Sequence, residues 1–454
     1  MIRIAIFCAL FALALSLQVR IFDGGFISER TIDLWAHALL AADAVPFNVT
    51  NSFYPPLPRA LTLGLGWLPL PAPSVLAALL SALITMTWWS NLRENGGYGW
   101  IGATALTVAL ILNPVFLRAV ADGPGMMLLI YGTWIFARGL MGLRLRGSTN
   151  DMMKVSFGLV LVVLSHAFGL LLTLAAMPAL ILAGRPSQVG GHPVSFLVTM
   201  LFPVFVAGLS LAIINLTLGL PVVPRIISEP GADVLPSLLA LGVVLVPAIA
   251  VVRRVWGVAR YWMPLLGGMI SLVLSVLLNS VFGPLNDPML AAAPALGLAA
   301  VALRFWPFGR DRAVAAASLS IASAIAAAFI LFHNPVGARL IEAISGQQYI
   351  TENASAARKI ATLLRDSTGI ILDAERSPEI VVASGNTRQL IFDGNIDYEL
   401  TRRRRTATAA AQNIVLRVGD RLSENLDPGN SGDIPGYRLI LAAQDWRVFE
   451  RTGQ

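Results

Sequence analysis

Three groups of acidic residues stand where this sequence could do chemistry at a membrane surface. The first is Asp23, Glu29 and Asp33, in DGGFISERTIDLWAHALLAADAVPFNVTNSFYPPLPR, residues 23–59. The second is Asp122, in LRAVADGPGMMLL, and the third is Asp287, in GPLNDPMLAAAPALG. A carboxylate at the edge of a bilayer can take a proton from an acceptor hydroxyl. It can also bind a divalent cation, Mg or Mn, that in turn holds a phosphate leaving group. Asp122 and Asp23 are the candidates for such a metal. Arg59, Arg118 and Arg225 are cations able to grip a phosphate through two parallel hydrogen bonds. His166 lies in an apolar segment, where a polar group is costly and usually faces the bundle interior. His37 and Tyr54 complete the candidate substrate contacts.

Each of these residues also has a plainer explanation. Asp122 and Asp287 precede Gly-Pro or Pro, as helix N-caps do. An interfacial arginine can be snorkelling, and a lone histidine can be a helix–helix contact. Between the candidate bases, Asp23 has Gly24 and Gly25 behind it, which let the backbone turn towards a substrate. Glu29 sits where a first-turn capping role explains it equally well, and Asp33 ranks behind both. No phosphate-binding glycine loop, Ser-His-Asp motif or nucleotide fold is present, so an activated donor has to arrive through lipid.

The elements that must position these residues follow from composition. Of the 454 residues 56% are hydrophobic and 13% charged, and the mean hydropathy is +0.71: a polytopic membrane protein. The net charge of +7 would suggest nucleic acid in a soluble chain, but here it reflects positively charged inner loops. The single cysteine, Cys8, excludes an intrachain disulfide. Residues 1–19 resemble a signal peptide in outline; an uncleaved first helix gives the later segments a consistent topology. Apolar windows fall near 2–19, 72–91, 98–117, 123–141, 155–183, 195–216, 235–252, 261–282, 288–303 and 313–332. The 155–183 window is too long for one crossing and is broken at Ser165–His166, which makes eleven crossings.

Residues 23–59 follow the first span. Ser28 as cap, Glu29 in the first turn and an apolar face of Ile32, Trp35, Leu39 and Leu40 predict a short helix lying in the membrane interface. The proline-studded piece 57–71 predicts a second interfacial helix. With the N-terminus inside, inner loops carry eleven cationic residues and short outer loops five, the sign expected of a membrane protein. Residues 334–454 are polar and form a soluble domain outside, after a membrane domain of 1–333. In that domain TENASAARKIATLLRDS predicts an amphipathic helix, and GIILDA, PEIVVAS, NIVLRV, YRLILAA and WRVFER predict short strands. The RRRR run at 402–405 reads as solvated surface.

The order of a first span, an outer acidic loop with an interfacial helix, and then YPPL resembles the GT-C superfamily of integral-membrane glycosyltransferases. NPVFLRAVADGPGMMLLIYGTWIFARGL, SHAFGLLLTLAAMPALILAG and NDPMLAAAPALGLAA continue the resemblance, which covers about residues 1–310. It rests on order and spacing. The fold it implies is an all-α polytopic membrane protein of about eleven helices, to which this chain adds a small C-terminal α/β domain. The activity it implies is transfer of a sugar from a polyprenyl-phosphate donor to a glycan, lipid or protein on the extracytoplasmic face of a bacterial inner membrane. An acid of the first loop would be the base, and some members bind a divalent metal there. Many members carry adjacent acids where this chain separates Asp23 from Glu29, and Lys or Arg where it has His166. The alternatives are a transporter or flippase of a lipid-linked glycan, or a non-catalytic partner that keeps the fold. Few polar groups line the spans and the acids collect on one side, which favours an enzyme working at one face.

Overall fold

The computed structural model describes residues 2–43, 55–68, 71–186, 192–217, 232–307, 309, 311–347, 351–392, 395–427 and 433–452. The chain forms two compact units. One comprises Met1–Ile21, Ser52–Pro58 and Ser74–Gly346, the other Phe22–Asn51, Arg59–Pro73 and Gln347–Gln454.

The first unit is helical: α1 (Ile2–Asp23, its last two residues in the second unit), α4 (Ala72–Ser90), α5 (Trp100–Ile111), α6 (Pro114–Asp122), α7 (Pro124–Leu145), α8 (Thr149–Ser165), α9 (Ala167–Ala175), α10 (Met177–Ala183), α11 (Pro193–Thr217), α12 (Val234–Arg254), α13 (Ala259–Phe282), α14 (Pro288–Ala292), α15 (Ala295–Arg304), α16 (Arg312–His333) and α17 (Pro335–Ser345). Among the described residues seven helices are each long and apolar enough to cross a membrane, and α5 with α6, bent by 59°, counts as an eighth if the pair is taken as one span. All the apolar windows are helical, so the expected architecture holds, with two changes of shape. The 98–117 window bends at Asn113–Pro114, where the Asn113 side chain accepts from the Val115 N–H and starts a new helix. The 288–303 window is two short helices, α14 and α15. The 155–183 window does break at His166, whose backbone is extended, with φ −161° and ψ 146°. Helices α7 and α8 pack backbone to backbone: a Cβ on Gly158 would come within 2.6 Å of the Phe136 nitrogen.

The second unit contains α2 (Glu29–Asp43) and α3 (Pro56–Leu63, from Arg59 onwards), both found where the sequence places interfacial helices. The Ser28 hydroxyl accepts from the Thr31 N–H at 3.2 Å, the expected cap. The C-terminal part adds α18 (Glu352–Leu363), α19 (Pro378–Ser384), α20 (Ile396–Arg404) and α21 (Arg421–Leu426) around a five-stranded sheet. Its strands are β1 (Ile370–Leu372), β2 (Leu390–Ile391), β3 (Asn413–Arg417), β4 (Tyr437–Ala443) and β5 (Trp446–Arg451), in the order β2-β1-β3-β5-β4. β2, β1 and β3 are parallel, and β5 and β4 are antiparallel to their neighbours.

Two expectations are corrected here. PEIVVAS is the helix α19, not a strand: Pro378 occupies the first turn, Glu379 follows it, and Gly385 ends the helix in the left-handed region at φ 62°. Two adjacent valines suggested a strand, but Pro at N1 and Gly after the end are helix punctuation. The apolar face of α2 is not reserved for lipid either. Ala36 and Leu40 belong to the core of the α/β domain, with Ile360, Ile380, Leu390 and Trp446. The arginine run ends α20 with Arg403, Arg404 and Arg405 exposed, as read.

Candidate functional site

In the second unit α2 and α3 bring together Asp33, His37 and Arg59. Asp33 and His37 lie one turn apart on α2, the spacing that places two side chains on one helix face. His37 Nδ1 donates to the Asp33 main-chain oxygen at 2.7 Å and stands 3.2 Å from Asp33 Oδ1. Arg59 Nη2 reaches Asp33 Oδ2 at 3.3 Å. The Asp33 side chain keeps 35% of its surface exposed, against 11% for His37 and 14% for Arg59. Burial pushes the carboxyl up, but the charges and hydrogen bonds of His37 and then of Arg59 outweigh it and hold Asp33 at about 2. A carboxylate this acidic is a good ion-pair partner and a weak proton acceptor.

Asp23 and Glu29 are both exposed. Asp23 is the last residue of α1, and the chain turns just beyond it: Gly25 has φ 83° and its N–H donates to Phe22 O at 2.9 Å. The rings of Phe22 and Trp35 meet edge to face at 5.4 Å, tying this turn to α2. Glu29 opens α2 near Glu379 of α19. Burial raises the Glu379 carboxyl, Arg417 opposes that, and the Glu29 charge adds to it.

In the first unit Arg118 of α6 joins the other two acidic groups. Its Nε donates to Asp287 Oδ2 at 2.8 Å, and its Nη1 lies 3.6 Å from Asp122 Oδ1 one turn along α6. The three side chains are 5–8% exposed. Asp287 is the N-cap of α14, accepting from the Met289 N–H, and it accepts from the Asn334 amide at 3.2 Å. Its capping reading and its membership of a cluster are therefore both true. Asp122 is not an N-cap: it ends α6, and Gly123 occupies the cap position of α7. Asn334 itself caps α17, accepting from the Val336 N–H. Sequence reading passed over Asn334, although Asn113-Pro114, Asp287-Pro288 and Asn334-Pro335 share one signal, an Asx cap followed by proline. Gln18, also passed over, is buried and donates to Val120 O at 2.6 Å, fastening α1 to α6.

His166 is buried and its Nδ1 accepts from the Phe168 N–H at 2.9 Å, which makes it the N-cap of α9. Tyr54 and Arg225 lie outside the described residues. Among the described residues no three His, Cys, Asp or Glu side chains converge as a metal cage. Asp122 shares a guanidinium with Asp287, which neutralises the two carboxylates instead of presenting them to a divalent ion, so this donor set does not fit a protein-built divalent site.

No protein-family model matches the chain, and no curated protein does. Solved structures do, among them ArnT from Cupriavidus metallidurans bound to undecaprenyl phosphate and the same protein in the apo state. The first is 15% identical, covers 98% of this chain and 98% of its own, and has a TM-score of 0.54. The second is 15% identical, covers 97% of each, and has a TM-score of 0.55. At that identity the likeness is one of fold.

Proposed function

We propose that the chain is a membrane glycosyltransferase of the GT-C type, moving a sugar from a polyprenyl-phosphate donor to an extracytoplasmic glycan, lipid or protein. The observation that supports this most is the fold shared end to end with a protein crystallised with undecaprenyl phosphate. In the reaction the acceptor oxygen bonds to the anomeric carbon, the bond from that carbon to the phosphate oxygen breaks, and polyprenyl phosphate leaves with the electron pair. The acceptor proton passes to a carboxylate.

Within the first loop the roles divide by environment. Asp33, ionised and paired, holds Arg59 and His37 in place. Arg59 offers its fork to the donor phosphate. Asp23, exposed at the glycine turn, takes the proton, and Glu29 is its competitor. Arg118 is committed to Asp287 and Asp122, so its part in this scheme is to hold the ends of α6 and α14. The site works at the outer face of a bacterial inner membrane.

Transfer activity of Asp23→Asn and Glu29→Gln at matched expression tests the assignment. Asp23→Asn should lose a factor of about 100 or more, while Glu29→Gln keeps most of its rate. The reverse pattern moves the base to Glu29, and full activity in both removes the first loop from the chemistry. Mass spectra of lipid extracts from a deletion strain should lack one glycan-modified species; an unchanged profile would sink the transferase reading.

A further inference from the structure

His37 is held in the first loop without a step of its own in the transfer. Its Nδ1 lies 2.7 Å from the Asp33 main-chain oxygen, and a carbonyl oxygen can only accept. Nδ1 therefore carries a hydrogen, with Asp33 Oδ1 at 3.2 Å as a second acceptor. In a neutral imidazole the other nitrogen is then bare, so Nε2 is where this ring gains or gives its second proton. Nε2 makes no hydrogen bond among the described residues and is not sealed from the surface. The ring is held at one nitrogen and open at the other.

The same carboxylate holds Arg59, through Oδ2 at 3.3 Å. Imidazole and guanidinium thus stand on the two oxygens of one side chain that stays 35% exposed. Asp33 is ionised down to about 2, so it orients the ring without taking its proton. Other charges near α2 stand further along. Glu29, Arg30 and Asp43 lie on the helix itself. α19, whose Ile380 shares a core with Ala36 and Leu40, brings Glu379, which stands near Glu29 about two turns before His37. The turn 387–389, where the Thr387 hydroxyl donates to Leu39 O at 3.4 Å, brings the exposed Arg388.

We propose that His37, oriented by Asp33, is the proton donor to the leaving phosphate, while Asp23 takes the proton of the acceptor. The role rests on the transferase reading and adds the other half of its proton traffic. A polyprenyl phosphosugar is a phosphodiester with one negative charge. When the bond from the anomeric carbon breaks, the phosphate oxygen keeps the electron pair and a second charge develops there. The Nε2–H of the imidazolium gives its proton to that oxygen, which leaves His37 neutral and polyprenyl phosphate a monoanion. Asp23 then releases the acceptor proton to solvent and His37 regains one, so the protons balance. Arg59 brings charge to the same phosphate but no proton, because a guanidinium does not give its own up.

Polyprenyl phosphate itself is the probe, so the test requires neither the sugar nor the acceptor. Its complex holds one proton between Nε2 and the phosphate. Between about pH 7.5 and 9, above the ordinary ranges of an imidazole and a phosphate monoester, binding has to take that proton up. Calorimetric titration of the full-length protein in detergent should show affinity falling by about tenfold per pH unit there. Buffers of different ionisation heat should count about one proton taken up per complex. His37→Gln should bind more weakly at the lower pH and lose the slope. His333→Gln, at an exposed histidine of α16, should keep it. Asp33→Asn keeps the ring without the group that orients it, and should take up clearly less than one proton. A flat wild-type profile overturns the proposal even if the His37 variant does not fold. So does an undiminished slope in His37→Gln, or an undiminished uptake in Asp33→Asn. Those results leave the transferase reading standing, whereas a wild type that binds no polyprenyl phosphate at any pH sinks both.

Discussion

The two clusters of arginine and aspartate use the same residue types for opposite ends. Arg118, Asp122 and Asp287 are shut away at 5–8% exposure, with Asp287 also satisfied by the Asn334 amide and a helix N-terminus. Asp33 keeps a third of its side chain exposed while His37 and Arg59 hold it ionised. The first cluster spends its charges on itself and fixes helix ends. The second keeps a charged face accessible. Burial, more than residue identity, separates a strut from a candidate site.

Removing a partner from each cluster should expose that difference. Arg118→Ala leaves two buried carboxylates with no cation and should cost about 3–5 kcal/mol of stability. It should appear as a large fall in melting temperature or in folded yield. An Arg118→Ala protein of normal stability that only loses donor binding would turn the strut into a ligand contact.

A third acid sharpens the contrast. Asp420 is buried as the N-cap of α21, accepting from the Ser423 N–H and, at 2.7 Å, from the Arg417 N–H. Burial first, with the Asp373 charge adding to it, raises it from 3.8 to about 6 in spite of these bonds. The folded state therefore holds a proton that the unfolded chain has already lost between those values. Stability of the α/β domain should be highest below pH 4 as far as this group is concerned, and should fall as pH rises through 6, by about 3 kcal/mol at the most. Asp420→Asn keeps a capping side chain and removes the charge, so its melting temperature should lack this component of pH dependence between 4 and 7.5. An unchanged pH dependence would show that the carboxyl titrates normally. Asp33 behaves in the opposite sense: its contribution is complete above pH 4 and is lost as pH falls through about 2.

The smallest effect belongs to the open cluster. Arg59→Lys keeps the charge and loses the fork, so donor affinity should fall by about tenfold while the melting temperature moves little, because the pair with Asp33 is partly solvated. A stability loss as large as that of Arg118→Ala would erase the distinction between the clusters.

Much of this arrangement was legible locally. Ser28 as a cap, the break at His166, the two helices of the first loop and four of the five strands are written in neighbouring residues. Thr351 capping α18 belongs with them. The failures have physical causes. β2 is two residues long, too short to leave a pattern, and PEIVVAS offers β-branched residues in a helical setting. The pairing of Arg118 with Asp287 joins positions 169 apart in sequence, and no local pattern encodes such a meeting. The partner of the α2 apolar face was invisible for the same reason: the stripe announces that something covers it, without saying whether lipid or protein does.

That partner also sets a schedule. Ala36 and Leu40 complete a core whose other members begin at Ala356. At a synthesis rate of about 5–20 residues per second, α2 is made roughly 15–60 s before the segment it packs against. Throughout that interval its apolar stripe has no finished core to join, and every helix from α4 to α17 is translated in the meantime. The first loop therefore acquires its native packing only at the end of biosynthesis, so a nascent chain stalled before residue 350 would carry Asp23, Asp33 and Arg59 in sequence without the core that anchors α2.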